Sequence, residues 1–211
     1  MKNATKYADT LRSFTRKMIR DRKAPPREPQ EALKALVRSA MSYDVPDDKA
    51  EGAMKAIERE FVDLNELRVA TDLEIQELLG NRYPQIEKRV ALITQSLNAI
   101  FEKEHTLNLD RLQTISKRDA RQFLRELPDV HPFVEAYVML FAFDGHTIPM
   151  DGQMLEYLRE EEVIEPETSL EEAQKFVEHH IKAEECHDFY RALRAAAQSA
   201  GDDSKKKKKA K

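Results

Sequence analysis

Apolar positions along this chain recur at steps of three and four, and almost nowhere at steps of two. Tyr7, Leu11, Phe14 and Met18 predict a first helix that stops before Ala24-Pro25-Pro26. The Pro-Pro-Arg-Glu-Pro segment that follows reads as a hinge. Leu33, Leu36, Val37 and Ala40 predict a second helix over about 29–41, broken at Tyr43-Asp44-Val45-Pro46, and Met54, Ile57 and Phe61 predict a third. Thr71-Asp-Leu-Glu74 reads as a capping box opening a short helix that ends near Gly80. The clearest stripe is Ile86, Val90, Ile93, Leu97 and Ile100, with Glu87, Lys88 and Arg89 expected to face largely outward. Ser116 starts another helix that carries Phe123 and Leu124 to Leu127-Pro128. Pro132 restarts helix as a first-turn residue, and the run to Phe143 is apolar nearly all round, the pattern of a helix buried at a centre. Asp151 begins a further helix, Ser169-Leu-Glu-Glu172 caps the next, and the segment from Cys186 to Ala200 supplies the last. The expectation is an all-α protein of about ten helices.

Composition agrees with that reading and narrows it. Of 211 residues, 41% are hydrophobic and 35% charged, enough for one good-sized core or two small ones. Five glycines, no tryptophan and 7% aromatic residues argue against a sheet sandwich, a glycine-looped nucleotide fold and base stacking on an aromatic platform. A single cysteine, Cys186, excludes an intrachain disulfide and any four-cysteine zinc or iron–sulfur site, and fits a reducing cytoplasm. His179, His180, Cys186 and His187 match no recognised ligand spacing, so no metal is expected. The N-terminus lacks an apolar signal core, and the longest apolar-rich stretch, Phe133 to Phe143, is 11 residues and carries Glu135, so no membrane partner is expected.

The net charge of −4 hides three blocks. Residues 1–38 hold 11 Lys+Arg against 4 acids, residues 39–204 hold 18 against 35, and residues 205–211 hold six lysines and no acid. The last block, Lys205, Lys206, Lys207, Lys208, Lys209 and Lys211, is expected to be a disordered, solvated arm that either only aids solubility or meets nucleic-acid phosphate without sequence choice and lets go as salt rises.

A more specific order of features lies between 127 and 151. A short helix ends in Leu127-Pro128-Asp129-Val130-His131, a buried helix follows, and Ile148-Pro149-Met150-Asp151 opens another about twenty residues on. This resembles the helix-hairpin-helix DNA glycosylase superfamily, the endonuclease III-like enzymes, whose hairpin reads Leu-Pro-Gly-Val-Gly and whose catalytic aspartate follows an apolar stretch at the head of a later helix. Upstream, residues 32–55, 80–100 and Asn108-Leu109 fall in the order of that family's second and third helices, basic helix and pre-hairpin strap. The resemblance spans about residues 5–198.

It implies two helical subdomains with a cleft between them: 1–24 plus 140–200, and a central subdomain of 25–139 with the hairpin at 127–132, followed by the 201–211 tail. It implies Asp151 as the carboxylate that assists hydrolysis of an N-glycosidic bond, with duplex DNA held by Leu127, Pro128, Asp129, Val130 and His131 and with Met41 as an apolar wedge. No cofactor is implied. Localisation follows as cytoplasmic, nucleoid-associated where DNA is bound.

The chain also departs from the family's letters. Asp129 and His131 replace both hairpin glycines, which places a carboxylate and a bulky ring where backbone N–H groups approach phosphate. Phe133 stands at the position of the Schiff-base lysine used by family members that also cleave the backbone, so lyase chemistry by that route is excluded. Glu156 stands in the region where the family carries a DNA-holding basic residue, and the iron–sulfur cysteines are missing. Two readings stay open: a monofunctional glycosylase using Asp151, or a catalytically inactive scaffold of the same fold that associates with DNA, weakly and salt-sensitively, or with a protein partner. Asp151 is also a good N-cap and Asp129 an ordinary turn residue, so each has a purely structural role available.

Overall fold

The computed structural model describes residues 4–23 and 26–209, with the backbone alone described at 4 and 202–209. Ala24, Pro25 and Lys211 lie outside the described residues. Among those described there are twelve α-helices and no strand. They are α1 (Ala4–Asp21), α2 (Ala32–Ser42), α3 (Asp47–Glu60), α4 (Leu64–Val69), α5 (Asp72–Leu79), α6 (Ile86–Glu104), α7 (Arg111–Thr114), α8 (Lys117–Arg125), α9 (Pro132–Ala142), α10 (Gly152–Glu160), α11 (Leu170–His180) and α12 (Cys186–Lys209), with a 3-10 turn over Ala183–Glu185. The all-α class expected from the periodicity is what the chain adopts. The short α4 and α7, of six and four residues, fell below the length at which a periodic stripe is readable. No described helix is long and apolar enough to cross a membrane.

The chain divides into two compact units, one built from Met1–Glu28 with His146–Lys211 and the other from Pro29–Gly145. In the central unit α9 is the buried axis, and its most extensive packing is on α2. Phe133, Tyr137 and Phe141 follow one another at i, i+4 along α9, their rings 6.1 and 4.3 Å apart in succession, a row of aromatic contact worth about 1 kcal/mol per pair beyond burial. Glu135, the acid inside this apolar run, is buried, and its two carboxylate oxygens accept from Arg121 at 2.5 Å and Arg125 at 3.0 Å, one turn apart on α8. The pairing explains how a carboxylate survives in a buried helix. The unit closes at Gly145, whose N–H donates to Met139 O at 2.7 Å, and a Cβ there would meet that oxygen at 3.0 Å. The unit boundary therefore falls after α9 has ended, six residues beyond the expected 139.

In the other unit α12 packs on α10 and α1, with Phe189, Tyr190 and Leu193 buried. Both expected capping boxes form: Thr71 and Ser169 accept from the N3 backbone of α5 and α11, while Glu74 and Glu172 reach back to the cap N–H groups. Each such cap holds its helix start by about 1 kcal/mol. Where the sequence leads one to expect a disordered arm, the backbone of α12 continues to Lys209. Lysine is a good helix former, a helix already begun at Cys186 propagates at one hydrogen bond per residue, and cations near the C-terminus oppose the macrodipole favourably.

Candidate functional site

The residues singled out in the sequence fall into two groups, one in each unit. In the central unit the loop from Leu127 to His131 joins α8 to α9. Leu127 is buried, and its carbonyl accepts from Val130 N–H at 3.4 Å, closing a tight turn. Pro128 is half-buried, and Asp129 is exposed with φ of 54°. Aspartate is one of the residues that tolerate this left-handed conformation, so the turn that glycine makes in the hairpin sequence is kept without glycine.

His131 has the more consequential role. It is the N-cap of α9, and its Nδ1 accepts from Phe133 N–H at 3.2 Å. The donor that opens the helix is thus occupied by the chain's own imidazole. The ring also lies on Tyr43, centroid to centroid at 4.1 Å, and Tyr43 in turn meets Phe133 at 5.5 Å. Burial lowers the His131 pKa below the usual imidazole value, with Asp44 pulling it up and Arg89 pushing it further down. A neutral ring is the form that can accept from Phe133.

Two expectations for the central unit are corrected. Met41 is 0% exposed, so it serves as core rather than as a wedge for a duplex. Its backbone carbonyl accepts from the buried Tyr83 hydroxyl at 2.7 Å. The rest of α2 explains the burial, since Leu36, Val37 and Ala40 turn the same side inward. Arg89 does not face outward. It is buried and donates to Ala40 O at 2.5 Å, Tyr43 O at 2.6 Å and Pro84 O at 2.8 Å, so one guanidinium ties the C-terminal turn of α2 to the start of α6. The signal was present in the sequence: residue 89 lies three after Ile86 and four before Ile93, on the flank of the apolar stripe. Around these side chains runs a groove of about 570 Å³ lined by Tyr43, Gln85, Lys88, Arg89, Asp129 and His131 among others.

In the other unit Asp151 is the N-cap of α10 and 2% exposed. Its Oδ1 accepts from Met154 N–H at 2.9 Å, and its Oδ2 accepts from the Arg194 guanidinium of α12 at 3.1 Å. Arg194 is itself 3% exposed. The carboxylate is thereby neutralised by a buried cation and fixed by a backbone donor. Sequence reasoning missed Arg194, though an arginine at an inward register of α12, four after Tyr190 and three before Ala197, signals an internal acid. The segment feeding Asp151 is held by Glu178 of α11, whose Oε1 accepts from the Thr147 hydroxyl at 2.5 Å and from Ile148 N–H at 3.0 Å. His146 Nε2 meets Ile181 O at 2.8 Å beside it. Burial pushes the nearby Cys186 thiol up to about 12, so it stays protonated and unreactive. Phe133, at the lysine position, is fully buried. Lys205–Lys209 lie in the last turns of α12.

No protein-family profile matches the chain, and no curated protein is detectably similar to it in sequence. Solved structures are similar in fold. The Clostridium acetobutylicum 8-oxoguanine glycosylase/lyase, in complex with duplex DNA containing cytosine opposite 8-oxoG, aligns with a TM-score of 0.72 at 14% identity over 92% of this chain and 71% of that one. An endonuclease III–DNA covalent intermediate aligns at 0.71 and 14% identity, over 89% and 84% of the two chains. The H. pylori 3-methyladenine DNA glycosylase bound to 1,N6-ethenoadenine aligns at 0.66 and 11% identity, over 93% and 98%. The chain has the all-α fold of the helix-hairpin-helix, endonuclease III-like DNA glycosylases. At these identities the likeness defines the architecture and leaves the chemistry to the residues.

Proposed function

We propose that this chain is a DNA-associating protein on a base-excision glycosylase scaffold in which Asp151 has been given over to holding the fold, so that it engages duplex DNA without releasing a base. The observation that carries this is the Asp151 carboxylate, 2% exposed, with one oxygen on Met154 N–H and the other on Arg194. A carboxylate that stabilises a cationic sugar or activates water needs its charge directed at the substrate, and a buried guanidinium at 3.1 Å cancels that charge. His131 on Phe133 N–H points the same way, because the helix start that would meet a phosphate is already satisfied.

Association with duplex DNA is supported by the complexes that similar folds form and by the lysines ending α12. It is expected to be weak and steeply salt-dependent, given the acidic body. The competing reading is a monofunctional glycosylase with Asp151 in its implied role; Phe133, having no amine, confines that reading to hydrolysis.

The two separate in one assay: base release from duplexes carrying uracil, an alkylated purine or oxidised guanine. No release above the protein-free control is expected. Turnover in the wild type that disappears in Asp151→Asn, with the variant shown to be folded, would overturn the proposal and restore Asp151 to catalysis.

A further inference from the structure

A basic cavity in the unit that contains α1 and α12 is used by neither the hairpin nor Asp151. It encloses about 230 Å³ and is lined by Arg12, Thr15 and Arg16 of α1, His180 at the end of α11, and Lys182 and Glu185 beyond it. Residues 12, 15 and 16 share one face of α1 through their i, i+3 and i, i+4 spacing. The lining thus carries three full positive charges and an imidazole against one carboxylate, with Asp9 and Glu184 beside it on Arg12 and Lys182.

The cations are only lightly committed. Arg16 is exposed and enters no ion pair among the described residues. Arg12 meets Asp9 at 3.0 Å and Lys182 meets Glu184 at 3.7 Å, but all four side chains are more than half exposed, and water screens such pairs to about 0–1 kcal/mol. His180 Nδ1 lies 2.8 Å from Phe176 O; a carbonyl only accepts, so Nδ1 carries the hydrogen and Nε2 is the nitrogen left for a ligand. Thr15 is 3% exposed, and its buried hydroxyl has no hydrogen-bond partner among the described residues. Buried hydroxyls are nearly always paired, and a helical threonine could ordinarily have bonded the carbonyl one turn back.

We propose that this cavity binds a phosphate group, with Arg12 and Arg16 supplying charge from one face of α1, Lys182 supplying it from beyond α11, and the Thr15 hydroxyl supplying a buried hydrogen bond. A tetrahedral oxyanion offers oxygens to several donors at once, whereas a planar carboxylate suits one guanidinium fork. Glu185 lowers the positive potential of the wall, as do Asp9 and Glu184 on Arg12 and Lys182, and Arg16 keeps its charge outside any ion pair among the described residues. The phosphate comes either from a polynucleotide backbone, in which case the site rests on the DNA-association reading above, or from free phosphate, in which case it stands without that reading.

The test uses the full chain, with inorganic phosphate titrated against chloride at matched ionic strength while the His180 imidazole protons are followed by NMR. Duplex affinity is measured in parallel over a salt series. The variants are Thr15→Val and the pair Arg16→Ala/Lys182→Ala. The exposed pair is expected to fold normally, and Thr15→Val loses only an unpartnered hydroxyl. A saturable phosphate shift is expected in the wild type, weakened by about tenfold or more in each variant, as loss of a charge-assisted or buried hydrogen bond implies.

A matching fall in duplex affinity for the double variant, with a salt slope shallower by about one for each backbone phosphate left without its cation, assigns the backbone as the source, even where free phosphate gives no shift. A phosphate effect with unchanged duplex affinity assigns free phosphate. Absence of a saturable phosphate shift together with duplex affinity untouched by the double variant overturns the site. So does a shift that both variants leave at full strength. A wild type that binds no duplex removes the DNA reading alone, and the phosphate titration still decides the cavity.

Discussion

Two buried arginines carry more of this molecule than their sequence positions suggest. Arg194 and Asp151 are buried together at 3.1 Å, and such a pair is most costly when half of it is removed, because an uncompensated charge stays behind. Asp151→Asn keeps a competent cap for α10 but removes the negative charge that Arg194 meets at 3.1 Å. We expect it to lower stability by about 3–5 kcal/mol in urea denaturation, and Asp151→Asn/Arg194→Met to regain most of that loss. If the double variant is as unstable as the single one, charge imbalance is not the reason.

Arg89 is a different case, since three carbonyl oxygens hold its guanidinium where an acid holds that of Arg194. Burial lowers its pKa, while Tyr83, Asp44 and Tyr43 work in the opposite direction. Arg89→Met removes the hydrogen bonds to the carbonyls of Ala40, Tyr43 and Pro84, and a loss of about 3 kcal/mol is expected at about 1 kcal/mol per bond. A denaturation midpoint equal to wild type would show that water replaces the guanidinium freely.

Among the elements, α9 has a start whose cap is an imidazole and therefore pH-sensitive. His131 caps it only while Nδ1 is unprotonated, and burial holds its folded pKa below the unfolded value of about 6.5. Below that value the unfolded chain binds the proton first. The stabilising contribution is therefore complete above about pH 6.5 and is lost as pH falls through the folded pKa. His187, also lowered by burial, adds a slope of the same sign. The clean measure is consequently a difference: His131→Asn retains a capping side chain without titrating there, and its stability should fall less than wild type between about pH 7 and 5. Parallel curves would place the pH dependence elsewhere.

The element boundaries around this point were readable because their signals are local. Pro132 at N1, Thr71 with Glu74, and Ser169 with Glu172 act within one helical turn. The capping by His131 was not readable, since histidine is an unusual N-cap and its ring is set by Tyr43, eighty-eight residues away in sequence.

For the whole molecule the charge distribution is the governing quantity. The body repels a polyanion, and the densest positive charge lies in the six lysines of residues 205–211. Deletion of 205–211 is expected to weaken duplex binding and make it less salt-dependent, by about 0.9 in the log–log slope for each phosphate that the lysines neutralise. Fluorescence anisotropy across a salt series checks this, and identical slopes with and without the segment would show that the lysines do not touch the duplex.

What the linear order of residues determined here is the helical class, most helix boundaries, and a succession of features from Leu127 to Asp151 that resembles a glycosylase scaffold. Those follow from short-range periodicity, capping and spacing, which need no partner from afar. Only the folded chain decided what the singled-out side chains do. Met41 went to the core, Arg89 turned inward, His131 closed its own helix, and Arg194 came to rest on Asp151. Each outcome depends on which distant group fills the space beside a residue, and burial converts such a neighbour into the dominant electrostatic partner.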